Sequence, residues 1–184
     1  MIRETGKASR LRGLMRGAAV LALALAGSLC SRAADAPQIQ KDQVQLDVSK
    51  AGPRAVESLT QHGILRDYGS AWTSLAHALE FNTLDPLDGP FVGTAKKWLT
   101  ERVLGQQRSG LRSRYQDQSH KLQAIFYAPE GDVIELHDTA EYRLQVLDGA
   151  KAVHDERVVV HYVVLMTPGA DRWVIRQLQA VSQF

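Results

Sequence analysis

Cysteine is almost absent from this chain: Cys30 is the only one among 184 residues, so no intrachain disulfide can form. Clustered metal ligands, a glycine-rich phosphate loop and a serine–histidine–aspartate elbow are missing as well, so no reaction is announced by motif. No uninterrupted apolar run reaches the about 20 residues that a bilayer-spanning helix needs. Internal repeats and low-complexity tracts are also lacking, which excludes solenoids and biased linkers.

What is present begins with a leader. Arg3, Lys7, Arg10, Arg12 and Arg16 precede an uncharged apolar run from Gly17 to Leu29, and small residues fill Ser31 to Ala36. That succession of basic, apolar and small is the layout of a secretory signal peptide. Cleavage after Ser31-x-Ala33 is expected, because the alternative after Ala34-x-Ala36 would put Pro37 at the scissile bond. Two other readings stay open: an uncleaved leader that anchors the chain, and lipidation of Cys30 after Gly27-Ser28-Leu29, where bulky Leu29 fits a lipoprotein signal poorly. The expected location is periplasmic or secreted, with a membrane involved only through the leader or a lipidated Cys30.

Six of the 22 basic residues and one of the 20 acidic residues lie in residues 1–33, leaving 16 and 19, a formal charge of −3. The whole-chain pI of 8.8 therefore belongs largely to the leader. A nucleic-acid partner loses its electrostatic support. Residues 34–52 are polar, end in Gly52-Pro53 and read as a linker with one extended piece around Val44–Val48.

From Pro53 to the end one domain is expected, large enough to bury its own core. Pro53 suits the first turn of a helix. Val56 and Leu59, then Leu65, Tyr68, Trp72, Leu75 and Leu79, recur at helical spacing, with Gly63 expected to break a short helix from a longer one ending near Phe81. Asn82–Gly93 reads as a loop, and Thr94 as the cap of a second helix, Ala95–Gln107, stopped by Gly110. Strands follow. Leu122, Ala124 and Phe126 alternate, Ala128–Gly131 turns the chain, and Ile134, Leu136, Ala140, Tyr142, Leu144 and Val146 give a period of two. Asp148-Gly149 marks a hairpin. Arg157–Met166 is apolar on both faces and reads as a strand covered on both sides, and Trp173–Val181 is the last strand. The expected class is α+β: helices packed on a curved antiparallel sheet of about four strands.

Tyr68-Gly69-Ser70-Ala71-Trp72 on the first long helix, the second helix over Thr94–Gln107, and the terminal Asp171-Arg172-Trp173-Val174-Ile175-Arg176 after a valine-rich strand resemble the nuclear transport factor 2-like superfamily. That superfamily includes SnoaL-like and ketosteroid isomerase-like proteins. The resemblance covers roughly residues 53–184 and rests on fold-forming patterns. It implies a cone whose sheet wraps the long helix around an apolar pocket, used by different members for catalysis, ligand binding, protein docking or dimerisation, so fold does not fix function.

Five residues are pocket candidates. Tyr68 and Trp72 lie one turn apart on the apolar face, and either line a pocket or pack the core. Tyr142 lies on the inward face of its strand. His161 interrupts the valine-rich strand, and is either a satisfied core histidine or an acid–base group. Arg176 either points inward to a carboxylate or faces solvent. Of the remaining histidines, His62, His77, His120, His137 and His154, none forms a tight metal-site pair with another, and neither metal nor cofactor is expected. An isomerase-type mechanism needs an inward carboxylate beside a phenol. Asp138 is the one acid on the apolar face, and Asp67 is expected at the rim. The resulting expectation is an exported non-catalytic domain binding a small apolar molecule or a protein partner, with a homodimer through the sheet in which Val159, Val163 and Leu165 supply the contact. The rival is a SnoaL-like isomerase, cyclase or hydrolase using Tyr68, Asp138, His161 and Arg176. A third reading is the periplasmic domain of an envelope secretion or assembly complex.

Overall fold

The computed structural model describes residues 43–184, so the leader, Cys30 and the first part of the expected linker lie outside the described residues. Two short strands, β1 (Val44–Asp47) and β2 (Gly52–Pro53), precede helix α1 (Ser58–Phe81). A 3-10 turn (Asp85–Leu87) leads to helix α2 (Gly93–Ser109). Four long strands complete the chain: β3 (Leu111–Tyr127), β4 (Ile134–Asp148), β5 (Lys151–Pro168) and β6 (Trp173–Val181). The sheet order is β1-β3-β4-β5-β6, with β1 and β2 both parallel to β3 and every other pairing antiparallel. The architecture is α+β, two helices packed against a curved, mostly antiparallel sheet, as the sequence patterns anticipate. Among the described residues no helix is long and apolar enough to cross a membrane.

Gly63 does not break α1, which runs unbroken for 24 residues. A glycine inside a helix costs about 1 kcal/mol. Burial of Ile64, Tyr68, Trp72 and Leu75 along the same stripe contributes about 1.5–3 kcal/mol each and outweighs it. The helix starts later than expected: Pro53 belongs to β2, and Leu59, read as part of the apolar stripe, is 88% exposed. At the other end Asn82 adopts the left-handed conformation (φ 53°), a geometry asparagine tolerates, and its side-chain amide donates to the Leu111 carbonyl. Helix α2 ends as read, on left-handed Gly110. Its start differs: Val92 is the capping position, and the Thr94 hydroxyl donates instead to the Arg176 carbonyl.

Two corrections concern the sheet. Strand β5 is covered on one face only: Tyr162, Val164 and Met166 are buried, whereas Val159 is 59% exposed and His161, Val163 and Leu165 lie half-buried on the other side. A bulge between Ala124 and Phe126 turns Phe126 to the outer face, away from Leu122 and Ala124. Val44, in the segment read as a linker, packs into the core while β1 pairs with β3.

Candidate functional site

The interior between α1 and the sheet holds a polar cluster set in aromatic rings. Tyr68 and Trp72 project from α1, His120 from β3, Asp138 and Tyr142 from β4, and Tyr162 from β5. Asp138 is fully buried, and its Oδ2 accepts the Tyr68 hydroxyl at 2.6 Å and meets His120 Nδ1 at 2.8 Å. With the Nδ1 proton on His120, both neighbours donate to one carboxyl oxygen, which satisfies that oxygen at full burial. The His120 ring packs at 4.4 Å from the Trp72 ring centroid and edge-on to Tyr68 at 5.5 Å. Nothing hydrogen-bonds Asp138 Oδ1 or His120 Nε2 among the described residues.

Beyond Trp72 the cluster continues as phenols. The Tyr142 and Tyr162 hydroxyls are 3.2 Å apart, and Tyr115 stacks on Tyr142 at 4.6 Å. Arg102 of α2 donates to the Tyr115 hydroxyl and lies 5.8 Å from the Trp98 ring centroid. Burial, reinforced by the Asp138 charge, pushes the Tyr68 phenol well above its ordinary range. Burial likewise raises Tyr115 and Tyr142, and pushes Tyr162 up to about 12. All four therefore stay protonated, phenols and not phenolates, at neutral pH.

Of the five sequence candidates, Tyr68, Trp72 and Tyr142 meet in this interior and two do not. His161 lies on the outer face, where its Nδ1 is 3.2 Å from Thr139 Oγ1 and its ring stands edge-on to Phe184. Arg176 is exposed, because Val174 and Ile175 are consecutively buried across the bulge opposite Leu165 and Met166. Asp67 is buried, not at a rim, and accepts the Trp173 backbone amide at 2.8 Å. His120 was missed as a site residue, although it stands two residues before Leu122 and so shares its inward parity. Asp138 was legible by the same count.

These groups can order protons and hold a shape, but they are sealed from solvent: Tyr68 and Asp138 are 0%, and Trp72 and His120 1%, exposed. A concavity does open on the surface, a groove of about 530 Å³ between the start of α2 and the end of β6. Thr94 and Trp98 form one wall and Gln177, Leu178, Gln179 and Ala180 the other. Among the described residues no cluster of three or more His, Cys, Asp or Glu is placed to hold a metal ion.

No protein-family model matches the chain, and no curated protein matches it. Eleven chains of solved structures do. One is the crystal structure of the intermembrane space region of the chloroplast protein ARC6, 16% identical, with a TM-score of 0.51, covering 70% of this chain and 98% of that one. At such low identity the likeness shows a shared fold, in which nearly the whole of that region superposes on this chain.

Proposed function

We propose that this chain is an exported, non-catalytic docking domain that binds a protein partner through its surface. The observation that carries the reading is the sealed interior: the residues that would line an open pocket are packed against one another, leaving 0–1% exposure at Tyr68, Trp72, His120 and Asp138. Buried networks of this kind fix a unique packing, while binding is left to grooves, edges and exposed apolar faces. The basic–apolar–small leader supports export. The structural neighbour, an intermembrane space region by its title, lends support to the envelope-complex reading, which we take as the setting of the docking. The nuclear transport factor 2-like resemblance belongs to the same proposal, since docking and dimerisation are among that superfamily's uses. Self-association through the outer face of the sheet is part of it too, with Val159, Val163 and Leu165 facing outward.

The test is photocrosslinking in the native cell, with a photoreactive residue placed singly at exposed positions on the outer face, the groove and the β4–β5 hairpin. Discrete protein adducts at one cluster of positions are expected. No adduct at any position would sink the reading.

A second reading is favoured by the unpartnered Asp138 Oδ1 and His120 Nε2, which a small polar or mixed ligand would satisfy if the interior opened. That is the SnoaL-like enzyme or small-molecule binder, with Asp138, Tyr68 and His120 as its acid–base set. Denaturing the natively purified protein and finding about one small molecule per chain by mass spectrometry would favour it over docking.

A further inference from the structure

Strand β6 is the edge of the sheet beyond β5, and its outer side is only partly covered. Phe91 bridges Ile175 in parallel fashion: Ile175 N–H donates to the Pro90 carbonyl at 2.9 Å, and Val92 N–H to the Ile175 carbonyl at 3.0 Å. The chain then leaves the edge to enter α2. Further along, the same edge at Gln177–Ala180 borders the open groove and carries no other strand among the described residues. This edge thus already accepts one short extended segment, and the groove continues the track that segment occupies. Unpaired strand edges of this kind recruit extended chain, with the main chain supplying affinity and side-chain pockets supplying selectivity.

The groove wall states the chemistry it would take. Trp98 is 40% exposed and offers a flat apolar anchor beside Leu178. Arg176 lies against the start of α2, its Cγ 3.2 Å from where a Cβ of Gly93 would stand. Lys97 and Glu101 lie on the adjoining turns of α2, Lys96 is paired with Asp88, and Arg102, one turn after Trp98, is engaged with the Tyr115 hydroxyl. Arg176 and Lys97 against Glu101 leave an excess of positive charge at this open edge, which repels a second copy of the same edge and attracts an acidic strand.

Resting on the docking reading, we propose that the β6 edge beside α2 binds an extended acidic segment of a partner protein by strand addition, with an apolar partner side chain seated on Trp98. Gln177 and Gln179 then serve as neutral flanks that neither clash with nor require a charged partner residue. Glycine at position 93 lets α2 start close against Arg176 and leaves the groove open.

The experiment uses the full chain with two fluorescein-labelled probes: an eight-residue peptide alternating Glu with Leu and bearing one central Phe, and its counterpart with Lys for Glu. Anisotropy should show the acidic probe binding at least tenfold more tightly than the basic one, with slowed amide exchange at Gln177–Ala180. Trp98→Ala, at an exposed site, should weaken it about tenfold, and Arg176→Glu should abolish the charge preference. Equal binding of both probes, or protection confined to other strands, overturns the proposal. Photocrosslinking from Gln179 separates this failure from that of the docking reading. Adducts from Val159 but none from Gln179, or self-adducts from Gln179, overturn strand addition and leave docking standing; no adducts anywhere overturn both.

Discussion

The Tyr68 hydroxyl and the Asp138 carboxylate, 70 positions apart in sequence, meet at 2.6 Å where neither side chain touches solvent. That contact ties the middle of α1 to the centre of β4, and His120 completes it from β3. Removing the carboxylate strands the two buried donors that meet it, which costs about 2–6 kcal/mol at about 1–3 kcal/mol each. Asp138→Ala should therefore lose about that much, measured by urea denaturation. Tyr68→Phe, which keeps the ring and leaves His120 on the carboxylate, should lose about 1.5–3 kcal/mol. If the domain only docks, partner adducts persist in Tyr68→Phe at temperatures where it stays folded. Their loss, with stability intact, would point to the interior as the working site.

The helix stripe Tyr68–Trp72–Leu75–Leu79 and the alternation Ile134–Tyr142 were legible because each is a local period facing one core. Asp138 was readable as inward for the same reason. Where a bulge breaks parity, the pattern does not decide: Phe126 after Ala124 turns outward against its alternation, and Arg176, open between inward and solvent-facing, is set outward by the paired burial of Val174 and Ile175. A bulge is a register choice between two strands and leaves no mark in one of them. His161 misled because a run of valines does not reveal whether its second face is covered. The pairing of Val44 with the middle of β3, 76 residues on, is non-local and has no sequence signature.

The four raised phenols make the fold sensitive to alkali. Each is held above its ordinary value of 10, mainly by burial, and Tyr162 stands at about 12. A raised folded-state pKa means the stabilisation is fully present below pH 10 and is lost as pH climbs through the folded values. Stability should be insensitive to these groups from pH 7 to 9, then fall from about pH 10 to 12. Phenolate absorbance recorded alongside circular dichroism checks this. Four tyrosines ionising near pH 10 with the fold intact would contradict the buried cluster.

Gly93 opens α2 with φ at +57°, and a Cβ there would stand 3.2 Å from both the Arg176 carbonyl oxygen and its Cγ. The left-handed conformation alone costs a side-chain-bearing residue about 1–2 kcal/mol. Gly93→Ala should lose at least that much by thermal or urea denaturation, since the carbonyl is backbone and cannot swing away. Gly105→Ala is the contrasting control: it lies inside α2 at negative φ, with only the flexible end of Arg108 within 4 Å of the added carbon, at 3.9 Å, and should gain up to about 1 kcal/mol. Equal effects at the two positions would mean that α2 does not start tightly against β6.

The outer face of the sheet carries the remaining prediction. Val159 is 59% exposed, and Val163 and Leu165 continue its row along β5. Phe184 stacks on His137 at 4.2 Å and stands edge-on to His161, so the end of the chain lies over part of that face without covering Val159. A two-fold contact would set equivalent rows against each other. Val159→Lys places charges on both sides of such a contact, while a substitution at so open a position should change monomer stability by less than about 0.5 kcal/mol. Sedimentation equilibrium of the parent chain should show a concentration-dependent dimer that Val159→Lys weakens at least tenfold. A strict monomer over a wide concentration range in the parent chain would remove self-association through this face, and leave the apolar row to a different protein.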